Sequence, residues 1–349
     1  MEEKGKKGRM DYTLLLIVVL LVVIGLVILY STSAYNGQVK FHDSFYYLKK
    51  QAFATVLGIV LMLFVAGMDY HIWQRLAVFG YLAAVALSVA VMLFGREING
   101  SKRWLALGPF SFQPSEFAKV ALILFLADLV TKNVKTIGKM WTLCRIMFWI
   151  LPIVGLVGAS NLSTAIIILG IGVILIFVAS PKYAQFALMG IAGACFMGIF
   201  LALESYRLER LAIWRNPEKY EKGYQTLQGL YAIGSGGVFG VGIGNSVQKL
   251  GFVPEAQNDM ILTVICEELG VFGAILILCL FGFMLYRLMF IARNAPDLYG
   301  SLIAAGIFSH IALQVILNIA VVTGLIPTTG VTLPFISYGG TAVVFLLAE

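Results

Sequence analysis

The sequence predicts an all-α integral membrane protein, and three observations support this fold class. Of the 349 residues, 60% are hydrophobic and only 12% are charged, whereas soluble domains carry about 25% charged residues. The apolar residues form long uninterrupted runs, which favour spanning helices over a β-barrel because barrel strands alternate apolar and polar residues. The four cysteines all fall inside these runs, and no Cys-x-x-Cys or Cys/His cluster indicates a metal site or a disulfide framework.

The apolar runs predict about ten transmembrane helices in a single polytopic domain that covers residues 1–349. A span needs ~20 mostly apolar residues. Runs of this kind lie at about 11–31, 51–68, 74–95, 113–131, 141–159, 163–180, 183–203, 260–288, 299–322 and 336–349. No small-residue cleavage site follows the first run, so we expect a retained helix rather than a cleaved signal. The tenth run stops at Glu349, so we expect a short or truncated last helix.

Residues 204–259 interrupt the apolar pattern and form one large loop between the seventh and eighth helices. Lys4, Lys6, Lys7 and Arg9 precede the first helix, which favours a cytoplasmic N-terminus. Alternation of the spans then makes the large loop extracytoplasmic. Counted over the whole chain, the cations do not add to this prediction, because twelve Lys and Arg residues fall on each predicted side and Lys119 lies within a span.

The cationic residues on the predicted outer side oppose the usual excess of Lys and Arg in cytoplasmic loops, which suggests that they have another role. Arg and Lys bind phosphate oxygens, and we therefore expect an anionic ligand at the outer face. The alternative for any single residue is a solvated or headgroup-facing position. The outer cations are Lys40, Lys49, Lys50, Arg96, Lys102, Arg103, Arg207, Arg210, Arg215, Lys219, Lys222 and Lys249.

The fourth span opens with charged residues inside the predicted membrane region. Glu116 and Lys119 are three residues apart, hence neighbours on one helix face and able to pair. Ionisable residues within a span are functional hypotheses by default, although a purely structural pair is the alternative. Just upstream, Trp104 follows Arg103. Trp104 can be an ordinary interfacial anchor or a platform for a sugar or lipid headgroup.

The large loop combines helical spacing with a glycine-rich segment. Arg207 and Arg210 lie one turn apart in an amphipathic stretch, and a second amphipathic helix begins near residue 224. The following glycines permit positive φ and could form an anion-binding nest, or simply a re-entrant turn. No Gly-Lys-Ser/Thr follows, so this segment is not a nucleotide-binding P-loop.

Two acids, Glu255 and Asp259, lie at the start of the eighth span. Asn258 or Asp259 is expected to cap this helix. Because Asn258 could cap alone, Asp259 could instead act as a general base beside phosphate-binding cations. Further along the span, Glu267 and Glu268 could pair with a cation or form part of a polar pathway.

Four segments, found in family order, resemble the SEDS family (shape, elongation, division and sporulation), the group of FtsW, RodA and SpoVE. They read NGSKRWLALGPFSFQPSEFAK, GYQTLQGLYAIGSGGVFGVGIGNSVQKLGFVPEAQNDMI, EELG and GLIPTTGVTLPFISYGG. With the ten-span layout, the resemblance extends over essentially the whole chain. The pieces GYQ, AIGSGG and TLPFISYGG are closer to FtsW or SpoVE than to RodA. One departure is SNLSTA, with Asn161, where many members carry an acidic PDxGTA-like piece.

The resemblance implies a peptidoglycan glycosyltransferase that polymerises lipid II into β-1,4 glycan strands at the outer face of the bacterial cytoplasmic membrane. The family's loop acid corresponds to Asp259, its fourth-span pair to Glu116 and Lys119, and its loop arginine to Arg103. We expect Asp259 to be the catalytic base of an inverting reaction. The residues assigned to substrate binding are Arg103, Trp104, Glu116, Lys119, Arg207, Arg210, Ser246, Gln248, Lys249 and Glu255.

The expected accessory groups also follow from the resemblance. A divalent cation, Mg²⁺ or Mn²⁺, can assist the leaving pyrophosphate, although the sequence contains no dedicated metal cage and implies no organic cofactor. The expected partners are a class B penicillin-binding protein and other divisome or elongasome proteins, with no nucleic acid. A lipid II flippase is the alternative function, because ten spans and intramembrane charges would suit a transporter. A scaffold that only recruits division proteins is a third, but it would need neither Asp259 nor the fourth-span charges.

Overall fold

The computed structural model describes residues 10–98, 101–107, 110–180, 182, 184–202 and 205–349. Its helices in chain order are α1 Tyr12–Phe41, α2 Tyr46–Ala66, α3 His71–Phe94, α4 Pro114–Asn133, α5 Met140–Ser160, α6 Leu162–Ala179, α7 Ala184–Ala202, α8 Ser205–Arg215, α9 Tyr224–Gly236, α10 Ile261–Asn294, α11 Leu298–Val322 and α12 Gly340–Ala348. Every predicted span therefore corresponds to a helix. The two remaining helices, α8 and α9, lie in the large loop, where amphipathic helices are expected.

The loop between α3 and α4 contains a small sheet that the sequence analysis does not predict. Strands β1 Arg96–Ile98, β2 Ser101–Leu107 and β3 Phe110–Phe112 are antiparallel, with Leu105 opposite Phe112. The sequence signal for a hairpin is the Gly-Pro pair at 108–109, which is a common turn dipeptide. The sheet matters because β2 carries Arg103 and Trp104.

The helices identify a multi-pass membrane protein. Among the described residues, seven helices are long and apolar enough to cross a membrane: α1, α2, α3, α5, α6, α10 and α11. The 20-residue α4 is not among them, since it carries charged side chains along its length. Large apolar side chains such as Phe64 and Phe79 are exposed on the bundle surface, where lipid rather than water solvates them.

Helix α11 lies between two packed clusters of apolar side chains. One cluster joins α11 to α3, α4, α5 and α6, and the other joins α11 to α1, α10 and α12. Ile307 of α11 packs against both clusters. Side chains of α11 are therefore placed to connect the two halves of the bundle.

The turns at the end of the bundle opposite Asp259 are joined by polar contacts. Asp297 accepts a hydrogen bond from Gly300 N–H at the start of α11 and another from the Tyr70 hydroxyl at the start of α3. Burial acts to raise the pKa of Asp297, but these hydrogen bonds and the nearby His71 outweigh burial and hold the pKa below its usual value. The ionised carboxylate thus joins the α2–α3 turn to the α10–α11 turn.

Helix α10 is broken at Gly270, and the glycine-rich loop after α9 fills the break. Gly270 adopts φ 70° and ψ −175°, a region nearly restricted to glycine. Val241 N–H donates to the Glu267 carbonyl and Gly242 N–H to the Glu268 carbonyl, both at 2.9 Å. These bonds satisfy backbone groups that the broken helix leaves without intrahelical partners. This part of the glycine-rich segment therefore serves as a re-entrant turn against α10.

Replacing Gly270 with alanine is expected to lower stability by about 1–3 kcal/mol, because the backbone region is strained for any other residue. A Cβ atom there would also lie 2.3 Å from the Val238 carbonyl oxygen. Gly282, in the same helix, has nothing within 4 Å of such an atom, so Gly282→Ala is the matched control. Thermal unfolding in detergent gives the melting temperature of each variant. Equal melting temperatures for Gly270→Ala and Gly282→Ala would contradict the proposed strain.

Candidate functional site

Asp259 lies in the turn that precedes α10 rather than at the helix cap. The helix begins at Ile261 with Met260 as its N-cap, and no side chain caps it. Asn258 instead donates its amide N–H to Glu255 at 2.5 Å. The prediction that Asn258 or Asp259 caps this helix is therefore wrong, because the chain is still in a turn at both positions.

The backbone of Asp259 is fixed by Asn318 of α11. The Asn318 amide nitrogen donates to the Asp259 carbonyl and to the Val331 carbonyl, each at 2.8 Å. Asp259 itself is 9% exposed. Asp259 is thus held where the turn before α10, helix α11 and the segment between α11 and α12 meet.

Asp259 and Arg103 converge on Gly330, although they are far apart in the sequence. A Cβ atom placed on Gly330 would lie 3.6 Å from Arg103 Nη1 and 3.9 Å from Asp259 Oδ2. Arg103 Nε donates to the Ser160 carbonyl at 3.2 Å, which orients the guanidinium. Gly330 has φ 72°, a conformation that favours glycine, and the absence of a side chain leaves space between the two groups. A base and a cation therefore face one small region.

Glu116 and Lys119 form the predicted ion pair in α4. Lys119 Nζ lies 3.0 Å from Glu116 Oε2, with side chains 2% and 8% exposed, respectively. Lys119 also donates to Gln314 Oε1 of α11 at 3.2 Å. The pair is buried within the bundle, and α11 connects it to the segment that surrounds Asp259.

Two residues predicted to bind substrate, Ser246 and Lys249, contact acidic side chains of α10. Lys249 Nζ pairs with Glu268 at 2.6 Å and also donates to the Ser31 hydroxyl. Ser246 donates its hydroxyl hydrogen to Glu267, whose other carboxylate oxygen accepts the Val247 N–H. The positive charge of Lys249 is therefore neutralised inside the protein. These contacts anchor the loop against α10.

The other predicted site residues have different positions. Gln248 lies within the same anchored segment, and its backbone N–H donates to Glu267 at 3.4 Å. Glu255 is half-buried with φ 52°, so it cannot share a helical face with Asp259. Trp104 is half-buried on β2 beside Arg103. The side chains of Arg207 and Arg210 in α8 lie outside the part of the chain that the structure describes.

Asn161, the residue at which the sequence departs from the acidic motif of the resembling family, caps the start of α6. Its Oδ1 accepts the Thr164 N–H at 3.3 Å and caps α6. Together with Ser115 and Ser160, it lines a small cleft beside Arg103. An amide at this position can therefore perform the cap that a carboxylate would perform.

Two buried oxygens near the Asp259 segment have no hydrogen-bond partner in the protein: Asn318 Oδ1 and Thr329 Oγ1. Asn318 binds the Asp259 backbone, and Thr329 precedes Gly330. In the described ranges, no group of three His, Cys, Asp or Glu side chains could hold a metal ion. Mg²⁺ is usually held by one or two carboxylates together with substrate phosphates and water, so any cation here depends on the substrate for most of its ligands.

Comparisons with known proteins agree over nearly the whole chain. A family model described as a cell cycle protein, named for FtsW, RodA and SpoVE, matches residues 12–349. Stage V sporulation protein E of Bacillus subtilis strain 168 is 41% identical, over 98% of this chain and 95% of that protein. A probable peptidoglycan glycosyltransferase FtsW of Trichlorobacter lovleyi is 36% identical, over 97% of this chain and 90% of that protein.

Solved structures share the fold. A chain from a peptidoglycan synthase complex, described for its coordination of polymerization and crosslinking, superposes with a TM-score of 0.83 at 30% identity. It is matched over 97% of this chain and 94% of that chain. The rod shape determining protein RodA of Thermus thermophilus gives a TM-score of 0.72 at 28% identity, over 97% of this chain and 93% of that chain.

Proposed function

This chain belongs to the FtsW, RodA and SpoVE family, and from that premise we propose that it polymerises lipid II into β-1,4 glycan strands with Asp259 as base. Several relatives are named as probable peptidoglycan glycosyltransferases, and this chain is a glycosyltransferase of that kind. One observation carries the choice of site: a carboxylate oxygen of Asp259 and a guanidinium nitrogen of Arg103 meet at Gly330.

The proposed reaction is a single displacement. The donor is the growing glycan, joined through its anomeric carbon to undecaprenyl pyrophosphate in an α-linkage. The GlcNAc 4-hydroxyl of lipid II attacks that carbon, the bond to the pyrophosphate oxygen breaks, and a β-1,4 bond forms with inversion. Asp259 takes the proton of the attacking hydroxyl, and such a base typically contributes about 10²–10⁴-fold in rate.

The leaving pyrophosphate requires positive charge rather than a proton. Arg103 supplies it through a guanidinium whose orientation is set by the hydrogen bond to Ser160. A divalent cation, Mg²⁺ or Mn²⁺, would be held beside the neutral oxygens of Asn318 and Thr329 and would supply further positive charge for the pyrophosphate, whereas Asp259 keeps the role of base. Lys249 has no part in this proposal, because Glu268 neutralises its charge.

The setting of the reaction follows from the same proposal. The Asp259 end of the bundle faces the outside of the bacterial cytoplasmic membrane, and the N-terminus is cytoplasmic, as the basic tail favours. A class B penicillin-binding protein is the partner that cross-links the strands. The similarity to a chain from a synthase complex that coordinates polymerization and crosslinking supports this pairing.

Purified protein supplied with labelled lipid II tests the proposal, with and without the partner. We expect polymer bands on a gel, sensitive to a muramidase that cuts β-1,4 glycans. Absence of polymer in the presence of the partner and of Mg²⁺ or Mn²⁺ would count against a polymerase.

The same protein in sealed vesicles distinguishes the flippase alternative. In the part of the chain that the structure describes, the polar residues deep in α11 are buried against one another and do not line an opening. We therefore expect polymer without enhanced transfer of labelled lipid II between leaflets. Transfer without polymer would favour the flippase.

A further inference from the structure

Helix α11 carries a stripe of polar residues that take no part in the proton transfer or the bond exchange of the proposed reaction. His310, Gln314 and Asn318 are spaced four residues apart and therefore lie on one face. Their exposed fractions are 1%, 3% and 0%. Polar groups buried in a spanning helix are costly unless they are paired, so each of these side chains is expected to have a partner on another element.

His310, the first residue of the stripe, connects α11 to Glu349 at the end of α12. His310 Nδ1 contacts the Glu349 carboxylate, and His310 Nε2 lies 2.9 Å from Gln314 Oε1. A carbonyl oxygen can only accept, so Nε2 carries a hydrogen. Nδ1 then faces the Glu349 carboxylate, so the imidazole connects α11 to the end of α12.

Gln314 is the branching point of the stripe. Its Oε1 accepts from Lys119, while its Nε2 donates to the Thr332 carbonyl at 3.0 Å. An ammonium can only donate and a carbonyl can only accept, so both contacts independently require the same orientation of the amide. Gln314 therefore holds Lys119 of α4 on one side and the α11–α12 segment on the other.

Asn318 completes the stripe next to the reaction site. Its amide nitrogen donates to the carbonyls of Asp259 and Val331. Val331 precedes Thr332, which Gln314 binds one helical turn away. The same two turns of α11 thus hold Lys119, residues 331–332 and the backbone of Asp259.

We infer that this polar stripe of α11 (His310, Gln314 and Asn318) fixes Lys119 and Asp259 relative to each other, with Gln314 and Asn318 as positioning residues for glycan polymerisation. The inference rests on the proposed function. Neither residue takes part in a bond-making step. Gln314 acts on Lys119 through one hydrogen bond and Asn318 on the Asp259 backbone through another, and a displacement of about 1 Å in such a site can cost 10²-fold in rate.

A matched pair of substitutions at Gln314 tests this inference. Gln314→Met removes both the acceptor for Lys119 and the donor to the Thr332 carbonyl, whereas Gln314→Glu keeps the acceptor at the same length and loses only the donor. We expect Gln314→Met to lower kcat for lipid II polymerisation about 10–100-fold with KM nearly unchanged, and Gln314→Glu to recover part of that loss. Asn318→Leu is expected to lower kcat in the same way.

Ser309 provides the control on the same helix. It is fully buried and bonds only the Ala305 carbonyl of its own helix among the contacts described. Ser309→Ala should leave kcat unchanged. Wild-type kcat in Gln314→Met would overturn the inference. So would equal losses in Gln314→Met and Gln314→Glu that follow their melting temperatures, since that pattern indicates a structural role alone. Inactive wild-type protein in the same assay would instead count against the proposed function.

Discussion

Replacing Asp259 with asparagine is expected to abolish glycan polymerisation while the protein remains folded. Asparagine has nearly the same shape but cannot take the proton of the attacking hydroxyl, so the rate should fall by at least about 10²–10⁴-fold. The hydrogen bond from Asn318 goes to the backbone carbonyl of residue 259, and the substitution leaves that carbonyl in place. Polymer formed from labelled lipid II, normalised to folded protein, measures the effect.

Glu255 provides the comparison for this prediction. It is half-buried and paired with Asn258, in a turn whose backbone directs it away from any helical face shared with Asp259. Glu255→Gln should therefore reduce polymerisation much less than Asp259→Asn. Polymer of normal length and yield from Asp259→Asn would show that this carboxylate is not the base.

The fold was predictable because lipid solvation imposes a simple rule on long stretches of sequence. A run of ~20 apolar residues can satisfy its backbone in a bilayer only as a helix, so helix positions follow from composition alone. The sheet that carries Arg103 was missed, since its three strands are short and obey no such rule. Short strands depend on their pairing partners, which a single sequence does not display.

The site was predictable only where its chemistry is visible in residue types. An acid at the start of a span and a Glu–Lys pair in a span are unusual, and each indicates a role without knowledge of its neighbours. Lys249 shows the limit of this reasoning, because its partner Glu268 becomes apparent only when α10 and the preceding loop are packed together. Gln314 and Asn318 were missed for the same reason, although their four-residue spacing in an apolar helix is a usable signal.

Removing Glu116 alone is expected to destabilise the protein by about 3–5 kcal/mol, because Glu116→Leu leaves the buried charge of Lys119 without its counterion. The Gln314 carbonyl is too weak a partner to compensate a full charge in this environment. Lys119→Met in turn leaves the Glu116 carboxylate buried without its cation. Thermal unfolding of both single variants should therefore show large decreases in melting temperature.

The double variant Glu116→Leu with Lys119→Met separates stability from function. Replacing a whole buried ion pair by apolar residues of similar size is often neutral or stabilising, so the double variant should regain most of the stability that either single change loses. We expect it to remain nearly inactive, since Gln314 would then have no ammonium to hold beside the α11–α12 segment. A double variant that is both stable and active would mean that the pair serves only the packing of α4. A stable but inactive one would place Lys119 in the reaction, because recovered folding could no longer account for the loss of polymer.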